Sequence, residues 1–83
     1  SPNDHYIMDS MGWVLYRQGK LDQAYDYLNK AHTAQSDPEI AAHLGEVLWK
    51  MNRREEASQI WEEAFTKNPD NEVLMNTIKK FKR

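Results

Sequence analysis

The strongest constraint on the fold is a segment that occurs twice at a fixed offset. MGWVLYRQGKLDQAYDYLNKA begins at residue 11, and LGEVLWKMNRREEASQIWEEA begins at residue 44. Gly12 recurs as Gly45 and Ala24 as Ala57, and several other positions keep the class of residue. We call this offset, from Gly12 to Gly45, the repeat period. Self-similarity at a period of this size is typical of repeat proteins, in which each repeat is one supersecondary unit stacked on its neighbours.

The apolar residues within each copy follow the period of an α-helix and not that of a β-strand. Ile7, Met8, Met11, Val14 and Leu15 fall on one side of a helix, and four similar stripes follow, separated by turn signals such as SDPE and NPDN. Connections this short make neighbouring helices antiparallel. We therefore expect five helices, at about 4–18, 21–35, 38–51, 54–67 and 71–81.

Small residues at the repeat period indicate close crossings between paired helices. Helix axes about 8 Å apart tolerate only small side chains at the contact. A glycine inside a helix otherwise costs about 1 kcal/mol relative to alanine, so its recurrence favours a packing role. The expected pairs are Gly12 with Ala24 and Gly45 with Ala57, and Leu28 and Trp61 are expected to fill the space beside the two crossings.

Composition excludes several classes of protein. The chain has 83 residues, a net charge of −2 and no cysteine, so it has no disulfide framework and no thiolate site. The charge does not favour nucleic acid or an anionic membrane as a partner. No apolar run approaches the roughly 20 residues of a membrane span. The first ten residues, SPNDHYIMDS, do not have the basic and then apolar order of a signal peptide.

No catalytic constellation is evident. His5, His32 and His43 lie in different predicted helices without the spacing of a zinc or general-base motif. Ser10 and Ser58 lack the glycine context of a nucleophile elbow. We therefore expect no enzyme activity, no metal site and no cofactor.

The two copies resemble the tetratricopeptide repeat, whose pattern is W-x2-L-G-x2-Y, then A-x3-F, then P. Met8 and Ala41 stand in place of its tryptophan, and Leu15 and Leu48 in place of its tyrosine. The first copy is also one residue shorter than the family's usual unit, as the position of Pro38 indicates. The residues that carry the resemblance are Gly12, Ala24, Leu28, Ala31, Gly45, Ala57, Trp61, Ala64 and Pro69.

The resemblance implies an all-α fold, an α-solenoid of two antiparallel helix-turn-helix repeats with a C-terminal capping helix. The expected divisions are a remnant of a preceding repeat at 1–4, repeats at 5–36 and 37–70, and the cap at 71–83. DSMGWVLYRQG and DPEIAAHLGEVLW further resemble the C-terminal repeats of bacterial envelope proteins, including outer-membrane lipoproteins that act as adaptors for a carboxyl-terminal processing protease. Such a parent protein would be lipid-anchored and would face the periplasm.

In this family the first helix of each pair lines a concave, protein-binding surface. Large aromatics and mixed charge on rigid helices are favoured at binding hot spots. Trp13 is expected to contact a partner, whereas packing and recognition remain equally open for Tyr16 and Trp49. The expected protein-binding residues are Tyr6, Asp9, Trp13, Tyr16, Arg17, Glu46, Trp49 and Lys50.

The expected ligand is a neutral or basic extended segment, or the surface of a folded protein. Relatives that bind acidic carboxyl-terminal peptides use a clamp of Lys, Asn and Arg. Asp9, Trp13, Ala42 and Glu46 occupy the corresponding places here, and the carboxylates among them repel an anionic ligand. The clamp is therefore absent.

Two alternatives remain open. The basic end, with Lys79, Lys80, Lys82 and Arg83, could bind an anionic surface, although cations are also stabilised at the end of a helix by its dipole. Two repeats are fewer than the three or so that such arrays need for stability, so exposed repeat ends could stack on another copy. The chain would then be a homo-oligomer.

Overall fold

The computed structural model describes residues 4–82, which form five α-helices. These are α1 (Asp4–Arg17), α2 (Leu21–Ala34), α3 (Pro38–Lys50), α4 (Arg54–Lys67) and α5 (Glu72–Phe81). All predicted helix ends are correct to within one residue, and residues 4–82 contain no strand, so the expected all-α fold is confirmed. Residues 1–3 and 83 lie outside the described residues, and with them most of the predicted remnant of a preceding repeat.

The helix ends have local causes in the sequence. Asp37 caps α3, since its carboxylate accepts hydrogen bonds from Glu39 N at 2.8 Å and Ile40 N at 3.3 Å. The two helical hairpins turn at equivalent positions, Gly19 (φ 82°) and Asn52 (φ 66°), both in the left-handed region. After each of these residues a backbone N–H reaches back five residues, as in a Schellman motif.

The helices form two layers, and α3 packs against each of the other four helices. In the inner layer α3 lies between α1 and α5, which do not contact each other within residues 4–82, and α2 and α4 form the outer layer. Within residues 4–82, the backbones of α2 and α4 do not come close to each other, although side chains of both helices line the pocket that contains His32. The core residues are Ala24, Leu28, Ala42, Leu44, Val47, Leu48, Ala57, Trp61 and Leu74.

Both buried glycines lie where two helices cross. A Cβ at Gly12 would lie 2.7 Å from Leu28 Cγ and 3.2 Å from Ala24 O, so only glycine fits without a shift. A Cβ at Gly45 would overlap the indole ring of Trp61. The sequence interpretation placed Ala57 opposite Gly45 and Trp61 beside the crossing, but the indole itself occupies the crossing.

Some residues of the predicted apolar stripes are exposed. On α1, Ile7, Met11 and Val14 are 56%, 45% and 55% exposed, and Phe65 of α4 is 41% exposed. On α5, Val73 is 39% exposed, whereas Leu74 is fully buried. The period of a stripe fixes which side of a helix is apolar, but burial also requires a neighbour on that side.

Candidate protein-binding face

The inner side of α1 and α3 carries most of the predicted binding residues, and we call it the α1/α3 face. Four side-chain contacts cross from α1 to the second repeat on this side, through Tyr6, Asp9, Trp13 and Tyr16. The face is therefore a connected surface, built by residues that are far apart in the chain. Its members are Tyr6, Asp9, Trp13, Tyr16, Arg17, His43, Glu46, Trp49 and Lys50.

At the centre of the face, Asp9, Trp13 and His43 form one cluster. His43 Nδ1 lies 2.8 Å from Asp9 Oδ1, so an Nδ1–H donates to the carboxylate. The imidazole also stacks on the indole of Trp13, with 4.1 Å between ring centroids and 23° between planes. Trp13 is half-buried by this contact and by Tyr16, whose ring centroid is 4.9 Å away. One face of the His43 ring is therefore occupied and its orientation is fixed.

Next to this cluster, Tyr16 and Glu46 join the two helices. The Tyr16 hydroxyl donates to Glu46 Oε2 at 2.9 Å. Burial raises the pKa of Tyr16, and the hydrogen bond and charge of Glu46 raise it further, so the phenol stays protonated. At the other end of the face, Tyr6 is 50% exposed and donates to Asp37 Oδ2 at 3.3 Å.

Trp49 belongs to an aromatic cluster that continues into the core. Its ring is 5.6 Å from that of Trp61 and 6.0 Å from that of Phe81, and the Arg54 guanidinium lies 4.9 Å from its centroid. The ammonium of Lys50 lies 5.7 Å from the Phe81 centroid. Trp49 is half-buried, so it combines core packing with an exposed edge.

One position on α3 differs from the sequence interpretation. Ala42, assigned to the exposed face as the counterpart of Asp9, is fully buried, and its carbonyl accepts a hydrogen bond from Trp61 Nε1 at 3.3 Å. His43, which was not among the expected binding residues, lies on the face instead. The helical spacing between Glu39 and Glu46 fits both positions equally, and only the polar side chain of His43 indicated a surface position.

The described residues of the face do not form a metal centre. Among residues 4–82, no three His, Asp or Glu side chains are grouped closely enough to hold a metal ion. His32 lies elsewhere, in a polar pocket between α2, the start of α3 and the end of α4, where burial lowers its pKa. None of the helices in the described part of the chain is long and apolar enough to cross a membrane.

Two layers of paired helices, in which the second pair repeats the first with a glycine at each crossing, define a helical-repeat protein. A family model described as tetratricopeptide repeat matches residues 15–76. The chain therefore belongs to the tetratricopeptide repeat family. This family generally provides non-catalytic modules for protein–protein interaction.

One curated relative is the TPR repeat-containing protein PA4667 of Pseudomonas aeruginosa. It is 56% identical to this chain over 46 residues, which are 55% of this chain and 8% of the relative. The chain thus corresponds to a small part of that protein's length.

Proposed function

We propose that the chain is a non-catalytic protein-binding module, part of a larger scaffold or adaptor, and that its partner binds the α1/α3 face. The observation that carries this proposal is the Asp9–His43–Trp13 cluster, which holds a large aromatic ring in a fixed position on the inner side of α1 and α3. Rigid, half-exposed aromatics contribute strongly to binding because little entropy is lost when a partner covers them.

The charges of the face favour a neutral or basic partner. Asp9 and Glu46 each have one hydrogen bond to a neighbouring side chain, but both still oppose an incoming carboxylate. Glu39 is exposed in the first turn of α3 and adds negative charge at the same end as Asp37. Arg17 and Lys50 lie in the last turns of α1 and α3, at the end of the face away from Glu39. This separation of positive and negative charge can orient an extended segment.

A peptide selected from a random display library on the immobilised chain supplies a probe for this proposal. Its affinity is then measured by fluorescence anisotropy for wild type, Trp13→Ala and Tyr27→Ala. Tyr27 is a matched control because it is also a half-buried aromatic, on α2 of the outer layer. We expect Trp13→Ala to lose about thirtyfold in affinity, as hot-spot aromatics do, and Tyr27→Ala to lose less than about threefold.

Trp13→Ala also removes the stacking on His43, so circular dichroism must show that both variants are folded at the assay temperature. The required folded fraction is at least about 95%, which a free energy of unfolding of a few kcal/mol provides. Equal affinity for wild type and folded Trp13→Ala would contradict the assignment. Loss of binding in Tyr27→Ala alone would move the site to the outer layer.

The basic C-terminal helix is a weaker candidate for function. Lys82 Nζ lies 3.2 Å from Glu62 Oε1, and Lys80 lies over the Phe81 ring at 5.3 Å. These cations thus have intramolecular roles at the end of α5, where the helix dipole also favours them.

A further inference from the structure

The carboxylate of Glu46, in the middle of the α1/α3 face, has no cationic partner within residues 4–82. Its Oε2 accepts the hydrogen bond from the Tyr16 hydroxyl, which is a neutral donor. The side chain of Glu46 is half-buried, so its carboxylate has lost part of its hydration. Removing a charge from water is unfavourable unless an opposite charge compensates it, and among the described residues no ion pair does so.

Lys50 is the residue that would ordinarily pair with Glu46. A glutamate followed by a lysine four residues later lies on the same side of a helix in the favourable order. The Lys50 ammonium instead lies 5.7 Å from the centroid of the Phe81 ring on α5. Arg17, in the last turn of α1, also forms no ion pair with Glu46 in the described part of the chain. The negative charge at the centre of the face is therefore available to a partner molecule.

The free polar atoms around this charge are mainly acceptors. Because His43 Nδ1–H donates to Asp9 Oδ1, the neutral imidazole has its lone pair on Nε2. Glu46 Oε1, Asp9 Oδ2 and His43 Nε2 have no hydrogen-bond partner within residues 4–82, and none of these three atoms is buried. They therefore face solvent, and a group that donates several hydrogen bonds suits them best.

Trp13 places an aromatic ring between the two carboxylates. Asp9 is four residues before Trp13 on α1, and Tyr16, which holds Glu46, is three residues after it. Each carboxylate is thus held about one helical turn from the ring, on opposite sides. His43 covers one side of the indole, but the Trp13 side chain is only half-buried. A planar cation can therefore lie against the exposed part of the ring while it donates to a carboxylate.

We propose that the α1/α3 face recognises an arginine side chain of an extended peptide segment, whose guanidinium lies against Trp13 and donates to Glu46. A guanidinium is planar, always charged, and has five N–H donors and no acceptor, so it matches an acceptor-rich surface beside an aromatic ring. The ammonium of lysine is a compact and strongly hydrated charge, and a backbone N–H carries no charge. This inference rests on the proposed function, and it adds the side chain that the partner must supply.

Selection from the random display library gives the first test. We expect peptides selected on the wild-type chain to contain arginine more often than the library does. Glu46→Gln removes the charge but keeps an amide oxygen for the Tyr16 hydroxyl, and selection on this variant should lose the enrichment. Glu55→Gln is the matched control, because Glu55 is exposed on α4 and the substitution changes the net charge equally. Selection on Glu55→Gln should keep the enrichment.

Affinity measurements on one selected peptide test the contact itself. Its arginine is replaced by citrulline, which has nearly the same shape and no charge, and both peptides are titrated by fluorescence anisotropy. With the wild type and Glu55→Gln, citrulline should lower the affinity about tenfold or more, as the loss of hydrogen bonds between charged groups does. With Glu46→Gln, citrulline should lower it less than about threefold, because the carboxylate that the arginine contacts is already absent.

Equal effects of citrulline on the wild type and Glu46→Gln would overturn the inference, and the proposed function would still stand if Trp13→Ala weakened binding. A lysine analogue that binds as tightly as the arginine peptide would overturn the choice of a guanidinium. Binding that is insensitive to Trp13→Ala would overturn both proposals. A chain that sediments as a dimer and becomes monomeric on Glu46→Gln would also overturn the inference, because the occupant would then be a second copy.

Discussion

Gly45→Ala is expected to destabilise the protein, the opposite of what helix propensity alone predicts. Alanine in a helix is favoured over glycine by about 1 kcal/mol. At Gly45, however, the new Cβ overlaps the indole of Trp61, which is fully buried and cannot move aside freely. Overpacking of this kind costs about 1–3 kcal/mol. Displacing the ring also weakens its hydrogen bond to Ala42 O, worth about 1 kcal/mol.

The net loss is therefore about 1–3 kcal/mol, a fall in melting temperature of at least about 4 °C for a chain of this size. Thermal unfolding followed by circular dichroism measures it. Gln59 is exposed on α4, so comparing Gln59→Gly with Gln59→Ala measures helix propensity without packing. The Gln59→Ala variant should have the higher free energy of unfolding, by about 1 kcal/mol. The packing argument would be refuted if Gly45→Ala were as stable as wild type or more stable.

Three further predictions concern other parts of the molecule. Ending the chain at Asn71 removes α5 and uncovers Trp61, so the urea midpoint should fall; an unchanged midpoint would mean that α5 is not a cap. Burial lowers the pKa of His32 in the folded chain below the value of 6.5 that applies to the unfolded chain. The contribution of neutral His32 to the free energy of unfolding is therefore fully present above pH 6.5 and is lost as the pH falls below it. His32→Gln should flatten this dependence of the unfolding free energy on pH. Asp37→Ala should cost about 0.5–2 kcal/mol through loss of the α3 cap, whereas Asp37→Asn should cost little in chemical denaturation.

The fold could be predicted from the sequence because the helical period of the apolar residues and the longer repeat period indicate the same architecture. The helical spacing of the apolar residues located five helices, and the recurrence of Gly12 as Gly45 indicated that the helices form stacked pairs. Turn residues such as Gly19 and Asn52 set the helix ends locally, so their positions were also predictable.

The exposed residues of the α1/α3 face were harder to predict because their exposure depends on how each helix is rotated about its axis. One residue along a helix is a rotation of about 100°, so a small error exchanges a core position for a surface position. Ala42 was placed on the surface as the counterpart of Asp9, but it is buried, and its carbonyl accepts a hydrogen bond from Trp61, a tertiary contact that the repeat pattern does not reveal. The exposure of Met11 was equally unpredictable, since a stripe does not reveal whether a covering helix is present.

The central claim, that partners bind the α1/α3 face, is tested most directly by nuclear magnetic resonance. The full chain, labelled with ¹⁵N, is titrated with the display-selected peptide, and amide shifts are mapped on the structure. We predict that the largest shifts lie on α1 and α3, around Trp13, His43 and Glu46, with little change in α4. Shifts confined to α2 and α4, or to the exposed apolar side of α1 at Met11 and Val14, would contradict the claim.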